Sequence, residues 1–395
     1  MTDTLLSFRG EFPILERTTY LASNTLGAMP GTVPDRLAEY VDLWAERGVR
    51  AWRDAWWELP ERVGNEIAPL LGAGTAEIVM QPNVTIAQAT VLSAFTYTAP
   101  RNRIVMTELD FPSVRYVYDT LATRLGAEIV VVRSDDGITI DEDRIIAAID
   151  ERTALVCLSH VLFRSAYIVD LDRIVAHAHR MGARVSADAF HSVGVIPVDV
   201  KASGVDFMTG GVLKWLCGGP GGCFLYVSEA VRTQLEPSLT GWNAHAHPFE
   251  FAPEMEWANH IYRWQSGTPV IPALYAAIEG PRIVRRAGIE AIRAKSLRQT
   301  ARLEALANER GYPITAPRDP ARRGGTIAFA VPHAYEVSQH LLARDIIIDY
   351  RPQAGIRVAP HFYTRDDELD AVVTAIDECL ATGAWQQYAP AGAIT

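Results

Sequence analysis

The chain has 395 residues, of which 49% are hydrophobic and 21% charged, and its formal net charge is −10. This length and composition are typical of a well-packed protein with two lobes, or with one large domain and a satellite. The negative charge, and the lack of a basic run interleaved with aromatic residues, argue against a nucleic-acid partner.

The four cysteines and the apolar stretches bear on the location of the chain. Four cysteines in so long a sequence do not make a disulfide framework. Residues 1–16 lack the charged and apolar regions of a signal peptide, and no stretch approaches the ~18 uninterrupted apolar residues of a membrane span. We therefore expect a cytoplasmic protein without a membrane partner.

The middle of the chain alternates β-rich runs with helical patterns. Several runs are apolar throughout, which is typical of strands buried on both faces. In chain order, the pattern predicts a strand at 77–82, a helix at 83–95, a strand at 102–108, a helix after Pro112, strands at 127–134 and 153–160 around a helix at 141–151, a helix at 171–182, and strands at 183–188, 205–211 and 222–228. This order predicts an α/β fold with a mainly parallel sheet, whose ligands bind beyond the carboxyl ends of the strands.

The C-terminal part has a smaller αβ pattern. A long helical pattern near 280–310 is followed by β-rich segments and two more helices, at 324–332, 335–344, 346–351, 356–360 and 366–380. We therefore expect an N-terminal segment (1–50) that packs on the small domain, a large domain (51–280) and a small α+β C-terminal domain (281–395).

The stretch GGVLKWLCGGPGG (210–222) places Lys214 in an apolar, glycine-rich run after a predicted strand. A lysine desolvated at such a sheet edge has a lowered pKa, and its neutral amine can attack a carbonyl. The alternative is a lysine that buries its stem and extends its charge to the surface. The other two lysines, Lys201 and Lys295, lie in polar surroundings and fit that alternative.

The strand at 183–188 ends on Asp188, a carboxylate at the same edge of the predicted sheet. A buried carboxylate needs a cationic partner, and the pyridinium nitrogen of pyridoxal phosphate is such a partner. A helix N-cap is an equally good local explanation for an aspartate here. His191, three residues later, could reach the phenolic oxygen of the same ring or be a structural histidine.

Two segments offer groups that bind phosphate. Residues 81–88 form a strand, a turn and a helix start, where free N–H groups bind anions and the Thr85 hydroxyl can add a bond. Asn83 could equally be a plain N-cap. Thr268 offers a second hydroxyl that could bind phosphate, next to backbone N–H groups that are free to do the same.

These residues lie in segments that resemble the class V branch of fold type I pyridoxal-phosphate enzymes, and within it kynureninase most closely. The resemblance covers nearly the whole chain. It is carried by YLASNTLGAMP (20–30), DFPSVRY (110–116), LSHVLFRSAYIVDL (158–171), ADAFHSVGVIPVDV (187–200), LKWLCGGPGG (213–222), GWNAHAH (241–247), SGTP (266–269) and IRVAPHFY (356–363). It implies the fold type I architecture and pyridoxal 5′-phosphate as the cofactor.

The resemblance also implies which residues hold the cofactor. Lys214 would form the internal aldimine and shuttle protons, and Asp188 would pair with the pyridine nitrogen. His191 would sit near the phenolic oxygen, and Phe111 would stack on the ring. The remaining cofactor contacts would come from the Val84–Thr85 backbone, the Thr85 hydroxyl, Trp242, Ser165 near the ring, and Thr268, which would reach the phosphate of the neighbouring subunit in a homodimer.

On the substrate side, the resemblance implies that Arg357 binds the α-carboxylate, for which a guanidinium is well shaped. Asn24 would lie near the substrate, and His245 would line the substrate entrance. We expect no metal, because no carboxylate or cysteine accompanies the histidines around His245.

Two positions depart from the kynureninase pattern. Leu213 stands where kynureninases carry a tyrosine that serves the phosphate and acid–base chemistry. Gly267 stands where they carry an asparagine near the aryl group of the substrate. Both departures leave the predicted cofactor site intact, and both argue against kynurenine itself as the substrate without excluding it.

The resemblance implies an enzyme that cleaves at the β-carbon of an L-amino acid, by kynureninase-like C–C hydrolysis or by C–S β-elimination of a cysteine conjugate. The alternatives are a class V aminotransferase, decarboxylation-dependent oxidative deamination of a cysteine S-conjugate in lincosamide-type biosynthesis, and a non-catalytic protein that binds the cofactor. A cysteine desulfurase is disfavoured, because it needs a nucleophilic cysteine in the C-terminal part and residues 224–378 contain none.

Overall fold

The computed structural model describes residues 3–388. Within that range the strands are β1 (Thr19–Tyr20), β2 (Ile78–Gln81), β3 (Arg103–Thr107), β4 (Glu128–Val132), β5 (Thr153–Ser159), β6 (Arg184–Asp188), β7 (Phe207–Gly211), β8 (Cys223–Val227), β9 (Ile327–Phe329), β10 (Ile346–Ile347), β11 (Asp349–Arg351) and β12 (Gly355–Val358). The α-helices are α1 (Val33–Arg47), α2 (Leu59–Ile67), α3 (Val84–Ser93), α4 (Pro112–Val117), α5 (Glu142–Ala148), α6 (Leu171–Arg180), α7 (Val200–Ser203), α8 (Glu229–Arg232), α9 (Ile271–Ala276), α10 (Glu279–Ala287), α11 (Ile289–Glu309), α12 (Ala334–Leu342) and α13 (Asp366–Thr382).

A seven-stranded sheet forms the centre of the molecule, in the order β2–β8–β7–β6–β5–β3–β4. The strands β7, β6, β5, β3 and β4 pair in parallel, whereas β8 runs antiparallel to both of its neighbours. Because β8 lies antiparallel between β2 and β7, β2 points in the same direction as the parallel strands. The predicted α/β fold with a mainly parallel sheet is confirmed.

Both faces of this sheet are covered, as the apolar strand sequences predict. In β5, Leu155 and Cys157 belong to a hydrophobic cluster that includes residues of α3, whereas Val156 and Leu158 belong to another cluster that includes residues of α6. Side chains of a strand alternate between its two faces, so a strand with helices on both sides needs apolar residues at every position.

The C-terminal part contains a three-stranded antiparallel sheet, in the order β11–β12–β9. Its core joins Ile356 of β12 to Leu303 of α11 and Val372 of α13. The N-terminal strand β1 pairs in parallel with β10, so the start of the chain lies against this C-terminal part. The limits of the three predicted parts stay predictions.

Two predicted elements are divided in the structure. The pattern at 280–310 is two helices, α10 and α11, because Gly288 between them has a left-handed φ of 83°. The run at 346–351 is two short strands, β10 and β11, which belong to different sheets. Sequence periodicity does not show which strand a segment pairs with, and pairing divides this run.

The prediction that Lys295 extends its charge to the surface is wrong. Lys295 lies on α11 and is only 5% exposed. Its Nζ donates to the Phe362 carbonyl at 2.6 Å and lies 2.8 Å from an Asp3 carboxylate oxygen, so the buried ammonium group has polar partners. Lys201 does reach solvent, and its Nζ pairs with Glu77 at 2.6 Å.

Candidate active site

The chain brings its predicted cofactor residues to one edge of the large sheet. Asp188 is the last residue of β6, Lys214 lies three residues after β7, and Phe111 lies four residues after β3. Val84 and Thr85 open α3, which follows β2. Because all four strands point in the same direction, their carboxyl ends meet at this edge, where ligands of α/β sheets bind.

Lys214 and His191 form the centre of this edge. Lys214 Nζ lies 2.6 Å from His191 Nε2 and 5.5 Å from the ring centroids of both Phe111 and Phe190. Burial lowers the pKa of Lys214 to about 7, although the nearby Asp188 carboxylate acts in the opposite direction. Burial also lowers the pKa of His191 well below its usual value, and the Lys214 charge lowers it further. The site therefore holds the imidazole neutral and brings the neutral amine form of Lys214 within reach near pH 7.

Asp188 is a buried carboxylate at the end of β6. One of its oxygens accepts the N–H of Phe190 at 2.9 Å. Burial raises the pKa of Asp188 to about 6, even though this hydrogen bond and the Lys214 charge lower it. A pyridinium nitrogen would supply a charge partner for this carboxylate, so the residues present fit the cofactor that the sequence predicts.

Asp110 positions Phe111 and was not predicted. This buried carboxylate accepts the N–H of Thr107 at 2.8 Å and the N–H of Ser159 at 2.7 Å, which ties the segment before α4 to the ends of β3 and β5. The Phe111 ring packs edge-on against Phe163 with its centroid 5.3 Å away. In the sequence, Asp110 could have been noticed as a carboxylate three residues after an apolar strand. Its two partners, the N–H groups of Thr107 and Ser159, are identified only by the structure.

Gln88 is a second polar residue that sequence reasoning missed. It is fully buried on α3, and its Oε1 accepts the Tyr118 hydroxyl at 2.9 Å and the Ser186 hydroxyl at 3.2 Å. Its Nε2 donates to the Thr209 hydroxyl at 2.9 Å. These bonds tie α3 to β6, which ends on Asp188, and to β7, which Lys214 follows by three residues. A lone glutamine within an apolar helix was the available signal.

The start of α3 has the form expected for an anion site. Asn83 is the N-cap, and its side chain accepts the N–H of Ile86 at 3.0 Å. The N–H groups of Val84 and Thr85 precede this cap bond at the positive end of the helix, and Thr85 is exposed. Asn83 is therefore a helix N-cap, which was one of the two interpretations of this residue from the sequence. Phosphate binding by Val84 and Thr85 stays a prediction.

Trp242 and Thr268 line a cavity of about 780 Å³, together with Trp57 and Phe249, and Lys214 is not among its lining residues. The Trp57 ring centroid is 5.3 Å from that of Trp242 and 4.7 Å from that of Phe249. The structure thus brings Trp242 and Thr268 together with each other but not with the lysine of the same chain. Their contact with phosphate stays a prediction.

Arg357 is buried and already has a carboxylate partner. Its Nε donates to Asp349 Oδ1 at 2.7 Å, its Nη2 donates to Asp349 Oδ2 at 2.5 Å, and its Nη1 donates to the Phe163 carbonyl. The charge of Arg357 contributes to the lowered pKa values of Lys214 and His191, so the guanidinium acts on the site. Binding of a substrate carboxylate by Arg357 stays a prediction.

Asn24, a predicted substrate residue, has a side-chain amide that makes no hydrogen bond within residues 3–388. It is 1% exposed, and among residues 3–388 its amide nitrogen and amide oxygen both lack a partner. A buried amide with neither bond made is rare, and it indicates a ligand or a water at this position.

Ser165 and His245 are engaged by their own loops. The Ser165 hydroxyl donates to the Ile138 carbonyl at 2.6 Å and accepts the N–H of Tyr167 at 3.2 Å. His245 Nδ1 accepts the N–H of His247 at 2.8 Å, and its Nε2 lies 3.2 Å from the Glu254 carbonyl. These bonds use polar atoms of both side chains, and among residues 3–388 neither side chain hydrogen-bonds to Lys214. Roles at the ring and at the substrate entrance stay predictions.

Two further features were searched for in the described range. Within residues 3–388, no group of three histidine, cysteine, aspartate or glutamate side chains is arranged to hold a metal ion. None of the helices described is both long and apolar enough to cross a membrane.

Comparison with known proteins identifies the family of this chain. Residues 19–366 match the profile of the family described as Aminotransferase class-V. The chain belongs to this family. This class V chain is 31% identical over 408 residues to kynureninase from Burkholderia pseudomallei strain 1106a, across 100% of this chain and 97% of that enzyme. It is 32% identical over 400 residues to kynureninase from Pseudomonas fluorescens, across 98% of this chain and 94% of that enzyme.

Solved structures resemble the class V chain over almost all of its length. An apo cysteine desulfurase from Thermococcus onnurineus NA1 superposes with a TM-score of 0.85 at 22% identity, covering 97% of this chain and 99% of that one. The cystine C–S lyase C-DES, in complex with its product cysteine persulfide, superposes with a TM-score of 0.84 at 21% identity, covering 92% and 98%. At these identities the likeness shows the fold. The predicted kynureninase-like class V family and fold type I architecture are confirmed, and with them the cofactor of the family, pyridoxal 5′-phosphate.

Proposed function

We propose that this chain cleaves at the β-carbon of an L-amino acid with pyridoxal 5′-phosphate, and that it does so by C–S β-elimination of a cysteine conjugate. One observation carries the proposal. Lys214 Nζ lies beside a neutral imidazole at the carboxyl ends of the strands, where its charge interacts with the buried carboxylate of Asp188. A desolvated amine with a lowered pKa is suited to bond to a carbonyl carbon.

The site residues present would hold the cofactor in one orientation. Asp188 would keep the pyridine nitrogen protonated, His191 would contact the phenolic oxygen, and Phe111 would pack on the ring. The helix start at Val84 and Thr85 would bind the phosphate. When bound, the cofactor supplies a sink for the electron pair that is left on Cα after deprotonation.

The remaining steps fall to residues of the chain. Lys214 Nζ would hold the cofactor and, once free, would take the α-proton of the substrate as a general base. The electron pair left on Cα would then form a double bond to Cβ as the bond between Cβ and the departing thiolate breaks. His191, which stays neutral, keeps Lys214 Nζ within hydrogen-bonding distance at 2.6 Å.

Leu213 and Gly267 support elimination over C–C hydrolysis. Hydrolysis at a γ-carbonyl needs a group that transfers protons to the departing fragment, and the leucine next to Lys214 has no ionisable atom. A thiolate departs without such help. Gly267 has no side chain, so the aryl-facing asparagine that the kynureninase pattern carries has no counterpart here. The C–S bond cleaved by C-DES is a chemical precedent on the same fold.

The Lys214→Ala variant tests the anchor. We expect it to lose both turnover and the visible absorbance of the covalently held cofactor, because no other amine lies at the strand ends. Lys201→Ala is the matched control, since it removes a lysine that pairs with Glu77 and should retain both properties. Full activity of the Lys214→Ala protein would contradict the proposal.

A substrate screen tests the reaction. Holoenzyme is incubated with cysteine S-conjugates, kynurenine and ordinary amino acids, and the products are identified by mass spectrometry. Elimination would release a thiol together with pyruvate and ammonia. Release of anthranilate from kynurenine, or accumulation of the amine form of the cofactor without thiol release, would replace elimination with hydrolysis or transamination.

We also propose that the chain acts as a homodimer in which Thr268 and Trp242 serve the phosphate of the neighbouring subunit. Exposed apolar side chains around their cavity support this arrangement. Val49 is 83% exposed and Phe249 is 60% exposed. Apolar residues gathered at a cavity rim are typical of a contact surface.

A further inference from the structure

The guanidinium of Arg357 is held along one edge by a facing strand. Arg357 lies on β12, directly opposite Asp349 on the antiparallel strand β11. Such cross-strand neighbours have side chains on the same face of the sheet, so the hairpin itself builds the ion pair. Asp349 takes the edge formed by Nε and Nη2, at 2.7 and 2.5 Å.

The pairing with Asp349 leaves some N–H groups of the Arg357 guanidinium free. A guanidinium has five N–H groups. Asp349 accepts two of them and the Phe163 carbonyl accepts one from Nη1. Of the other two, the Nη2 group has only a long contact of 3.5 Å to the Thr25 hydroxyl. One N–H on Nη1 and one on Nη2 therefore remain for a carboxylate.

Asp349 is an anion, and it alone would cancel the charge of Arg357. Burial raises the pKa of Asp349, but the hydrogen bonds and charges of Arg357 and Arg351 outweigh burial and leave the pKa below its usual value. Arg351 Nη2 lies 3.2 Å from Asp349 Oδ2. Two guanidinium groups and one carboxylate leave the trio with a net charge of +1, as an anion site requires.

Polar groups of the N-terminal segment adjoin this trio. The Thr25 hydroxyl donates to Asp349 Oδ2 at 2.5 Å. Asn24, the next residue in the chain, has a buried amide whose nitrogen and oxygen are both without partners in the range 3–388. The contact of Thr25 with Asp349 brings the N-terminal segment to the trio, and a carboxylate ligand would use the free N–H groups of Arg357.

We propose that Asp349 and Arg351 are positioning residues of a carboxylate subsite: Asp349 fixes the orientation of Arg357, and Arg351 restores the positive charge that Asp349 cancels. The inference rests on the proposed function, because the ligand is the α-carboxylate of the amino-acid substrate. The opposite role for Asp349 would be that of an internal competitor, which the substrate must displace from Arg357. The two roles predict changes of opposite sign.

The test compares two amines that differ only in a carboxylate. Holoenzyme is titrated with L-alanine and with ethylamine, and the shift in the absorbance of the bound cofactor gives a dissociation constant for each. We expect the wild type to prefer L-alanine. Asp349→Asn and Arg351→Gln should each lower this preference by about tenfold or more, through weaker L-alanine binding, while ethylamine binding is unchanged.

Glu368→Gln is the control. Glu368 is another buried carboxylate of the small domain, paired with Arg9 at 2.8 Å and unconnected to Arg357. It should keep the wild-type preference even if the protein is less stable. If Asp349→Asn does not fold, Arg351→Gln still tests the proposal. Arg351 is a third exposed, and its substitution leaves the Asp349–Arg357 pair in place.

Each remaining outcome has one meaning. A higher preference for L-alanine in Asp349→Asn would show a competitor and overturn the positioning role. An unchanged preference in both variants, or equal weakening of both ligands, would also overturn it. If the wild type binds both amines equally, the carboxylate subsite fails while the cofactor assignment stands. If neither amine alters the absorbance, the proposed function fails and the inference falls with it.

Discussion

At the scale of single residues, the site depends on charges that burial suppresses. Lys214 and His191 lie 2.6 Å apart, and two positive charges at that distance would repel strongly. Burial resolves the conflict because it favours the neutral form of both groups. Burial favours the neutral form of Asp188 as well, which for a carboxyl group means a raised pKa, and a bound cation would favour its charged form.

The lowered pKa of Lys214 predicts how cofactor capture depends on pH. A depressed pKa means that the reactive neutral amine becomes the major form as pH rises through about 7, instead of through the ordinary 10.5. We expect the rate of cofactor binding to cofactor-free protein, followed by stopped-flow absorbance, to be half-maximal near pH 7. A rate that continues to climb above about pH 9 would show that the amine is solvated.

The buried carboxylate of Asp188 yields a second prediction. Asp188→Asn should keep the cofactor bound to Lys214 but lower kcat by about 100- to 1000-fold, because an amide cannot keep the pyridine nitrogen protonated. Cofactor content by absorbance and kcat by product formation are measured on the same sample.

Asp206→Asn is the matched control for this prediction. Asp206 is buried just before β7 and pairs with His179 at 2.9 Å and with Arg184 at 3.1 Å. This variant should lose stability and keep kcat within a few-fold at temperatures where it is folded. An Asp188→Asn enzyme with wild-type kcat would rule out the pairing.

At the scale of elements, the N-terminal segment is docked on the loop that carries the lysine. The Gly27 N–H donates to the Leu213 carbonyl at 2.8 Å. A Cβ at Gly27 would lie 2.2 Å from the Lys214 carbonyl oxygen and 2.8 Å from Cys217 Sγ. The close approach of two backbones therefore requires a glycine, and it links the segment that bears Asn24 to the position of Lys214.

This packing makes Gly27→Ala a test of the docking. We expect it to lower the free energy of unfolding by about 1–3 kcal/mol and to reduce the visible cofactor absorbance, because the Lys214 loop must shift. Gly10→Ala is the control, since a Cβ there meets nothing within 4 Å and should change stability by less than about 0.5 kcal/mol. Urea unfolding measures the free energy of unfolding of both variants, and the visible spectrum measures their bound cofactor. Equal stability of the two variants would contradict the docking.

At the scale of the whole molecule, we predict that the site is shared between two subunits. The structure places Thr268 and Trp242 by a cavity that Lys214 does not line. If these residues complete the phosphate site of a neighbouring copy, a single chain lacks part of its own site. Activity should then require the dimer.

Mixing two inactive variants tests this arrangement. Lys214→Ala removes the anchor, and Thr268→Glu places a negative charge where the phosphate would bind. A hybrid dimer has one site with both changes and one site with neither, so random reassociation should restore about a quarter of wild-type activity. Analytical sedimentation is used to check that the mixed sample is dimeric. A dimer that stays inactive after mixing would show that each subunit forms its site alone.

The sequence by itself determined the fold and the centre of the site, because that information is local. A strand sequence apolar on both faces predicts a covered parallel sheet, and Asp188, His191 and Lys214 follow their strands at short spacings, so each must lie at the edge where those strands end. Only the tertiary structure decided that Arg357 is held by Asp349, that Asn24 is buried without a partner among residues 3–388, and where the run at 346–351 divides. The physical reason is that strand pairing and the docking of distant segments set these contacts, and neither is encoded in the periodicity of a single segment.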